Sequence, residues 1–263
     1  METKLNYKAM GPEGGGAGGV ASGTVVFLHG FGGDLSGWTN FQVGLSASHR
    51  SLAFDLPGHG GSVNYGVTCN AAVAAKAVGQ DLDALGVAKV HLVGHSMGGA
   101  AAAVLALKRP QMVASMTLLA PGGFGPEIDQ ALLRAFAGAF DVESLHGALS
   151  RFFGPDFRLP RKMAEYDLAQ RQRPGAQKAL AATADAILHG DGQKVLPLDR
   201  IGALPIPIRV IWGAEDAVVP VSQAFGLPPM VAVHVFPGVG HMPHLEAGRS
   251  VLSLVRQTIR SAR

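Results

Sequence analysis

The chain predicts an α/β fold, with a mostly parallel central sheet, helices on both faces and a helical segment inserted late in the chain. Short β-branched or apolar runs alternate with stretches of helical periodicity, the pattern of parallel strands joined by helical crossovers. Composition agrees: 263 residues, 48% of them hydrophobic and only 16% charged, give enough apolar surface for a large buried sheet. They exclude a disordered or coiled-coil chain, which needs more charge. The alternation then stops after Leu119 and resumes only at Ile208, so a separate unit lies between.

Lys4 to Met10 places Leu5, Tyr7 and Ala9 on one face and reads as an edge strand. Gly11 to Gly19 cannot continue it and reads as a mobile loop. Strand runs follow at Thr24–Leu28, Ser51–Phe54, Lys89–Val93, Ser115–Leu119, Ile208–Trp212 and Val231–Phe236. Between them, Val73, Ala77, Val78, Leu82 and Leu85 mark a helix from Asn70 to Leu85, with Gly86 as its stop. Residues Gly99–Leu107 read as an alanine-rich helix.

The insertion spans residues 124–198, and residues 1–123 and 199–263 form the core. Leu132, Leu133, Phe136 and Phe140 mark one inserted helix, Leu145, Leu149 and Phe152 a second, and Leu180, Ala184, Ile187 and Leu188 a third. Six of the 12 phenylalanines fall between Phe124 and Phe157, which suits a lid over an apolar pocket; a plain structural subdomain is the alternative. Phe124, Phe136, Phe140, Phe152, Phe153 and Met242 are the expected pocket residues. Arg151, Arg158, Arg161, Lys162, Arg171 and Arg173 outnumber Asp156, Glu165 and Asp167 there. They form either a solvated face or an attraction for anionic substrates.

Charge says little about partners. Lys plus Arg exceed Asp plus Glu by 22 to 19, without the basic runs of a nucleic-acid binder. Cys69 is the sole cysteine, which excludes an internal disulfide and fits a reducing compartment. Val90 to Leu107 lacks formal charge but carries His91, His95, Ser96 and glycines, and reads as strand, turn and helix rather than a membrane span. The N-terminus lacks the apolar core of a signal peptide, so a cytoplasmic protein is expected.

The chemistry centres on Gly94-His95-Ser96-Met97-Gly98, a Gly-x-Ser-x-Gly pattern between a strand and a helix. A serine at so sharp a turn has its hydroxyl exposed above the sheet, and the helix N-terminus behind it favours developing negative charge. A serine hydroxyl is a weak nucleophile and needs a base and a group to orient that base. His241, in a glycine-lined loop after the last strand run, supplies the base. Asp216 and Glu215 both follow Trp212-Gly213 as possible acids. An oxyanion hole needs two backbone N–H donors: Met97 is one, and Phe31 in His29-Gly30-Phe31-Gly32-Gly33 the other. His241, His244 and Glu246 invite a metal reading, but Pro243 disfavours the helix that such a site uses. No metal or cofactor is required. His91 and His95 are placed too far apart to share an ion, His59 is expected to hold its loop by hydrogen bonding, and Cys69 is expected to be structural.

These motifs, with Asp55-Leu56-Pro57-Gly58-His59-Gly60, Trp212-Gly213 and Gly240-His241, resemble the α/β-hydrolase superfamily over residues 24 to 246. More narrowly, Phe27 to Asp34 and His241 to Glu246 are similar to the hydrolase-like portion of acetoin dehydrogenase acetyltransferase subunits, and no lipoyl domain precedes them here. The resemblance implies a free-standing hydrolase with the chain order Ser96, Asp216, His241, and it favours Asp216 over Glu215. Serine at position 96 disfavours the dehalogenases and epoxide hydrolases of this fold, which use aspartate. The enzymes that hydrolyse carbon–carbon bonds in ring-cleavage products usually carry Asn before the nucleophile and Trp after the histidine, where this chain has His95 and Met242. The expected activity is therefore that of a serine carboxylic ester hydrolase on small to medium acyl groups, thioesters included. A carbon–carbon bond hydrolase and a non-catalytic binding protein on the same fold are the alternatives.

Overall fold

A computed structural model describes residues 4–12 and 23–262. Among the described residues nine strands, β1 (Tyr7–Met10), β2 (Thr24–Leu28), β3 (Ser51–Phe54), β4 (Val90–His95), β5 (Val113–Leu119), β6 (Leu188–His189), β7 (Gly192–Gln193), β8 (Ile208–Gly213) and β9 (Val231–Phe236), build two sheets. The main sheet has the order β1-β3-β2-β4-β5-β8-β9, and β6 and β7 form a small hairpin. Only β1 runs antiparallel in the main sheet, pairing Tyr7 with Phe54; the other neighbours are parallel. The expected strands are all present, with β1 shorter than the Lys4–Met10 run, β4 starting one residue later and ending two later, β5 starting two residues earlier and β8 ending one later. Most of the glycine-rich tract Gly11–Gly19 lies outside the described residues.

Alternation along β2 shows how the sheet divides two cores. Val25 and Phe27 face Trp38, Phe41, Val251, Val255 and Ile259; Val26 and Leu28 face the larger core with Val78, Leu82, Ala101 and Leu105. The first face is covered by α1 (Thr39–Leu45) and the second by α2 (Ala71–Ala84) and α3 (Met97–Lys108). Asn70 starts α2 by accepting from the N–H groups of Ala72 and Val73, each at 3.0 Å, satisfying two of the orphan donors at a helix start.

The inserted segment folds as α4 (Gln130–Gly138), α5 (Val142–Ser150), α6 (Arg161–Arg171) and α7 (Ala176–Ile187), followed by the β6–β7 hairpin and α8 (Leu198–Gly202). After it come α9 (Pro243–Glu246) and α10 (Gly248–Ser261), the latter closing the α1 face. The sequence does not mark helix α6: it is rich in charged and polar residues and buries only Ala164 and Arg171, so it has no apolar stripe to read.

Three pocket expectations fail. Phe140 is 81% exposed, because α4 ends at Gly138 and Asp141 already caps α5 by accepting from Ser144 N–H at 2.7 Å, leaving Phe140 in the linker. Phe124 is buried against Trp212, ring centroids 6.4 Å apart. Phe153 stacks on Phe157 at 4.4 Å. None of the three lines the cavity described below.

Candidate active site

A mainly apolar cavity of about 650 Å³ lies between the sheet's C-terminal edge and the insertion. Ser96, Met97, Phe31, His241, Met242, Phe136 and Phe152 all line it.

Ser96 sits between β4 and α3 with φ 51° and ψ −117°, a region costly for a residue with a Cβ. The turn holds because its surroundings leave no alternative. Ser96 N–H donates to Leu119 O at 2.9 Å, and Ser96 O accepts from Ala100 and Gly122, each at 3.0 Å. The flanking glycines are required by contact: a Cβ on Gly94 would stand 2.4 Å from Gly98 O, and one on Gly98 would stand 2.3 Å from Leu28 O. Among the described residues, the amide N–H groups of Phe31 and Met97 donate to no protein acceptor.

The Phe31 loop is fixed by its first residue. His29 donates from Nδ1–H to Gly30 O at 2.7 Å and accepts at Nε2 from Leu56 N–H at 2.9 Å. Asp55 holds the neighbouring loop by accepting from Leu35 and Gly61 N–H, at 2.8 and 2.7 Å.

His241 is buried, and its Nδ1 lies 2.8 Å from Asp216 Oδ2. Asp216 is cradled completely: Oδ2 also accepts from Trp212 Nε1–H at 3.0 Å, and Oδ1 accepts from Val218 and Val219 N–H, both at 2.9 Å. Glu215 is exposed instead. The reason is local: Glu215 N–H is tied to Val239 O at 2.9 Å, and the next residue turns inward over Trp212.

Around His241 lies a group of neutral imidazoles. His95 donates from Nε2–H to His241 O at 2.8 Å, with its ring 4.8 Å from that of His241. His244 stacks on Trp38 at 4.9 Å and meets the His95 ring in a tilted contact at 4.5 Å. Burial, then the neighbouring imidazoles, pushes His95 well below its ordinary range. Burial pushes His244 down to about 3. Both are therefore uncharged at neutral pH. His59, placed as expected by its loop carbonyl with Nδ1 3.0 Å from Pro57 O, is also pushed to about 3 by burial. Among the described residues no group of three or more His, Cys, Asp or Glu side chains could hold a metal ion.

On the insertion side, Phe136 meets Phe152 at 5.0 Å and Phe31 at 5.9 Å. Of the six basic residues singled out there, only Lys162 lines the cavity. Arg151 pairs with Asp129 at 2.8 Å and Arg161 with Glu143 at 2.5 Å. Arg171 lies over the Phe136 ring at 4.4 Å. Sequence reasoning missed the polar part of this wall. Tyr166 O–H donates to Asp34 Oδ2 at 2.8 Å, and Asp167, beside them, has its carboxyl raised to about 7 by burial, with Arg171 opposing the shift and Asp34 adding to it. Residues so far apart in the chain leave no local signal.

The chain belongs to the alpha/beta hydrolase family, whose model matches residues 25–253. Among curated proteins, it is 37% identical over 234 residues to the dihydrolipoyllysine-residue acetyltransferase component of the acetoin cleaving system of Pseudomonas putida, a match covering 89% of this chain and 62% of that protein. It thus spans less than two thirds of that relative's length. The 2-hydroxy-6-oxo-6-phenylhexa-2,4-dienoate hydrolase of Burkholderia cepacia is 31% identical, with 84% of this chain and 82% of that one covered. Among solved structures, a meta-cleavage product hydrolase from Pseudomonas fluorescens IP01 superposes with a TM-score of 0.84 at 23% identity, covering 98% of this chain and 95% of that one. That last likeness shows the fold. No helix among the described residues is long and apolar enough to cross a membrane.

Proposed function

We propose that the protein is a serine hydrolase cleaving carboxylic esters, thioesters included, of small to medium acyl groups through an acyl-enzyme, with Ser96, His241 and Asp216 as its triad. The observation that carries this is the Asp216 Oδ2 to His241 Nδ1 contact of 2.8 Å, on an imidazole sharing a cavity with a serine on a strained strand-to-helix turn. A carboxylate on Nδ1–H fixes the tautomer that leaves Nε2 free to take a proton from Ser96 Oγ. Ser96 Oγ attacks the acyl carbon, and the carbonyl oxygen gains its negative charge facing the amides of Phe31 and Met97. His241 returns the proton to the leaving oxygen or sulfur, and water, deprotonated in turn by His241, releases the acid. Asp216 stabilises the transient imidazolium, and the neutral state of His95 and His244 means that no neighbouring positive charge opposes it.

The insertion acts in this reading as a cap whose Phe136 and Phe152 contact the acyl group. The relationship to the Burkholderia cepacia hydrolase favours a second reading, hydrolysis of a carbon–carbon bond in a vinylogous diketone. The two are separated by assaying acyl esters of graded chain length, an acyl thioester and a vinylogous diketone side by side, with a fluorophosphonate probe on wild type and Ser96→Ala. Ester turnover with labelling at Ser96 is expected. Turnover of the diketone alone selects the second reading, and labelling at another serine overturns the nucleophile.

A further inference from the structure

Glu246 ends the short helix α9, and in the sequence it stands out only as a member of a metal-ligand grouping that Pro243 disfavours. In the structure its carboxylate gathers three backbone N–H groups. Oε2 accepts from Gly154 at 2.7 Å, Oε1 and Oε2 accept from Gly240 at 3.0 and 3.1 Å, and Oε1 accepts from Met242 at 3.3 Å. Gly240 and Met242 bracket His241, whereas Gly154 belongs to the insertion, just beyond α5.

The two segments are joined further by His241 N–H, which donates to Phe152 O at 2.7 Å. They touch so closely that a Cβ on Gly240 would lie 2.5 Å from the Phe153 backbone. The ring of Phe152, a cavity wall, is 5.9 Å from the His241 ring. One carboxylate therefore holds the loop carrying the imidazole and the chain carrying the wall. Hydrogen bonds from backbone N–H to a carboxylate are charge-assisted and stronger than neutral ones.

We infer that Glu246 is a positioning residue: it sets the place of the His241 imidazole against Ser96 and Asp216 and seats the Phe152 wall of the insertion in the same act. The inference rests on the proposed triad. Its signature is the contrast between shape and acceptor capacity. Glutamine has the shape of glutamate, but its NH₂ group would confront at least one of the backbone N–H donors, which cannot pair with it. A residue needed only to fill space tolerates Glu246→Gln; an acceptor of three N–H groups does not.

The test is the kinetics of Glu246→Gln and Glu246→Asp on an acyl ester, with the downfield proton signal of His241 Nδ1–H as a spectroscopic reporter. Glu246→Gln is expected to lose about 10²-fold in kcat, the scale of a small misplacement of a reacting group, with KM changed by less than about threefold. The Nδ1–H signal broadens or shifts. Glu246→Asp keeps the charge with a shorter reach and recovers part of the loss; if the glutamine variant does not fold, the aspartate variant alone is expected to be about 10-fold down in kcat. Wild-type kcat in a folded Glu246→Gln, or in Glu246→Asp where only that variant folds, overturns the inference, as does a kcat loss with an unmoved Nδ1–H signal. Ser96→Ala and Asp216→Asn are run beside them: if those retain turnover the triad itself is wrong, and if they lose it while Glu246→Gln does not, only the role of Glu246 falls.

Discussion

Two aspartates show how differently the core and the insertion are built. Asp216, in the core, is buried and receives four hydrogen-bond donors, from Trp212, Val218, Val219 and His241. Asp167, on α6 of the insertion, is half-buried on the cavity wall, and among the described residues none donates to it. A group with every lone pair occupied has one geometry, whereas a group left facing a cavity takes its partner from what enters. Asp216 is thus held in one geometry, whereas Asp167 is free to change partner.

Substitutions at the two ends sharpen that contrast. Asp216→Asn presents the wrong partner to Nδ1 and is expected to lower kcat by about 10⁴-fold, measured with a short acyl ester on protein that melts cooperatively. Next, Phe31→Pro removes one of the two N–H groups proposed for the oxyanion hole and is expected to cost roughly 10²- to 10³-fold in kcat. Phe31→Ala keeps the N–H and changes mainly the acyl preference, so equal losses in the two would remove Phe31 from the oxyanion hole.

In the insertion, effects should fall on selectivity. Phe136→Ala and Phe152→Ala are expected to shift the preferred acyl length, with about 3 to 5 kcal/mol of stability lost at each buried site. In Phe136→Ala, acetate ester turnover holds within about threefold, because a small acyl group does not reach that ring. Phe140→Ala, at an exposed linker position, leaves both stability and profile unchanged. A shifted profile in Phe140→Ala would break the assignment of the wall.

Acid tests the core from another side. His59 and His244 are held at about 3, His91 at about 4 and His95 well below its ordinary range, all chiefly by burial. The unfolded chain regains imidazoles titrating near 6.5 and so binds more protons below that pH. Their contribution to stability is complete above about pH 6.5 and is lost as pH falls toward 4 and 3. A fall in Tm between pH 7.5 and 4.5 is expected by calorimetry. All four lie in core segments, so hydrogen exchange at pH 5 should rise there before it rises in α4 to α7. A small effect is expected for Asp167→Asn, with less than about threefold change on a neutral ester.

The same division explains what the sequence could disclose. The Ser96 turn was legible because backbone crowding at Gly94 and Gly98 forces glycine at fixed spacing, and the central strands β2, β3, β4, β5 and β8 because they bury nearly continuous runs. Spacing alone left Asp216 one of two adjacent acids; the resemblance favoured it, and the chain's turn over Trp212 puts it inside while Glu215 stays exposed. The wall of the insertion was misread where spacing alone was used: Phe140 continues the apolar rhythm of α4 but lies past its end, and Phe124 and Phe153 are spent on packing. Tyr166 and Asp34, 132 positions apart, meet only through the fold.

Trp38 and Trp212 are the two tryptophans of the chain, and both are bonded or stacked to the site: Trp212 Nε1–H to Asp216, Trp38 against His244. Indole fluorescence, excited at a wavelength that the three tyrosines do not absorb, therefore comes only from the acid and from the imidazole cluster. Occupation of the cavity, or protonation of His244 beside Trp38, is readable as a change in emission intensity or colour without any attached dye.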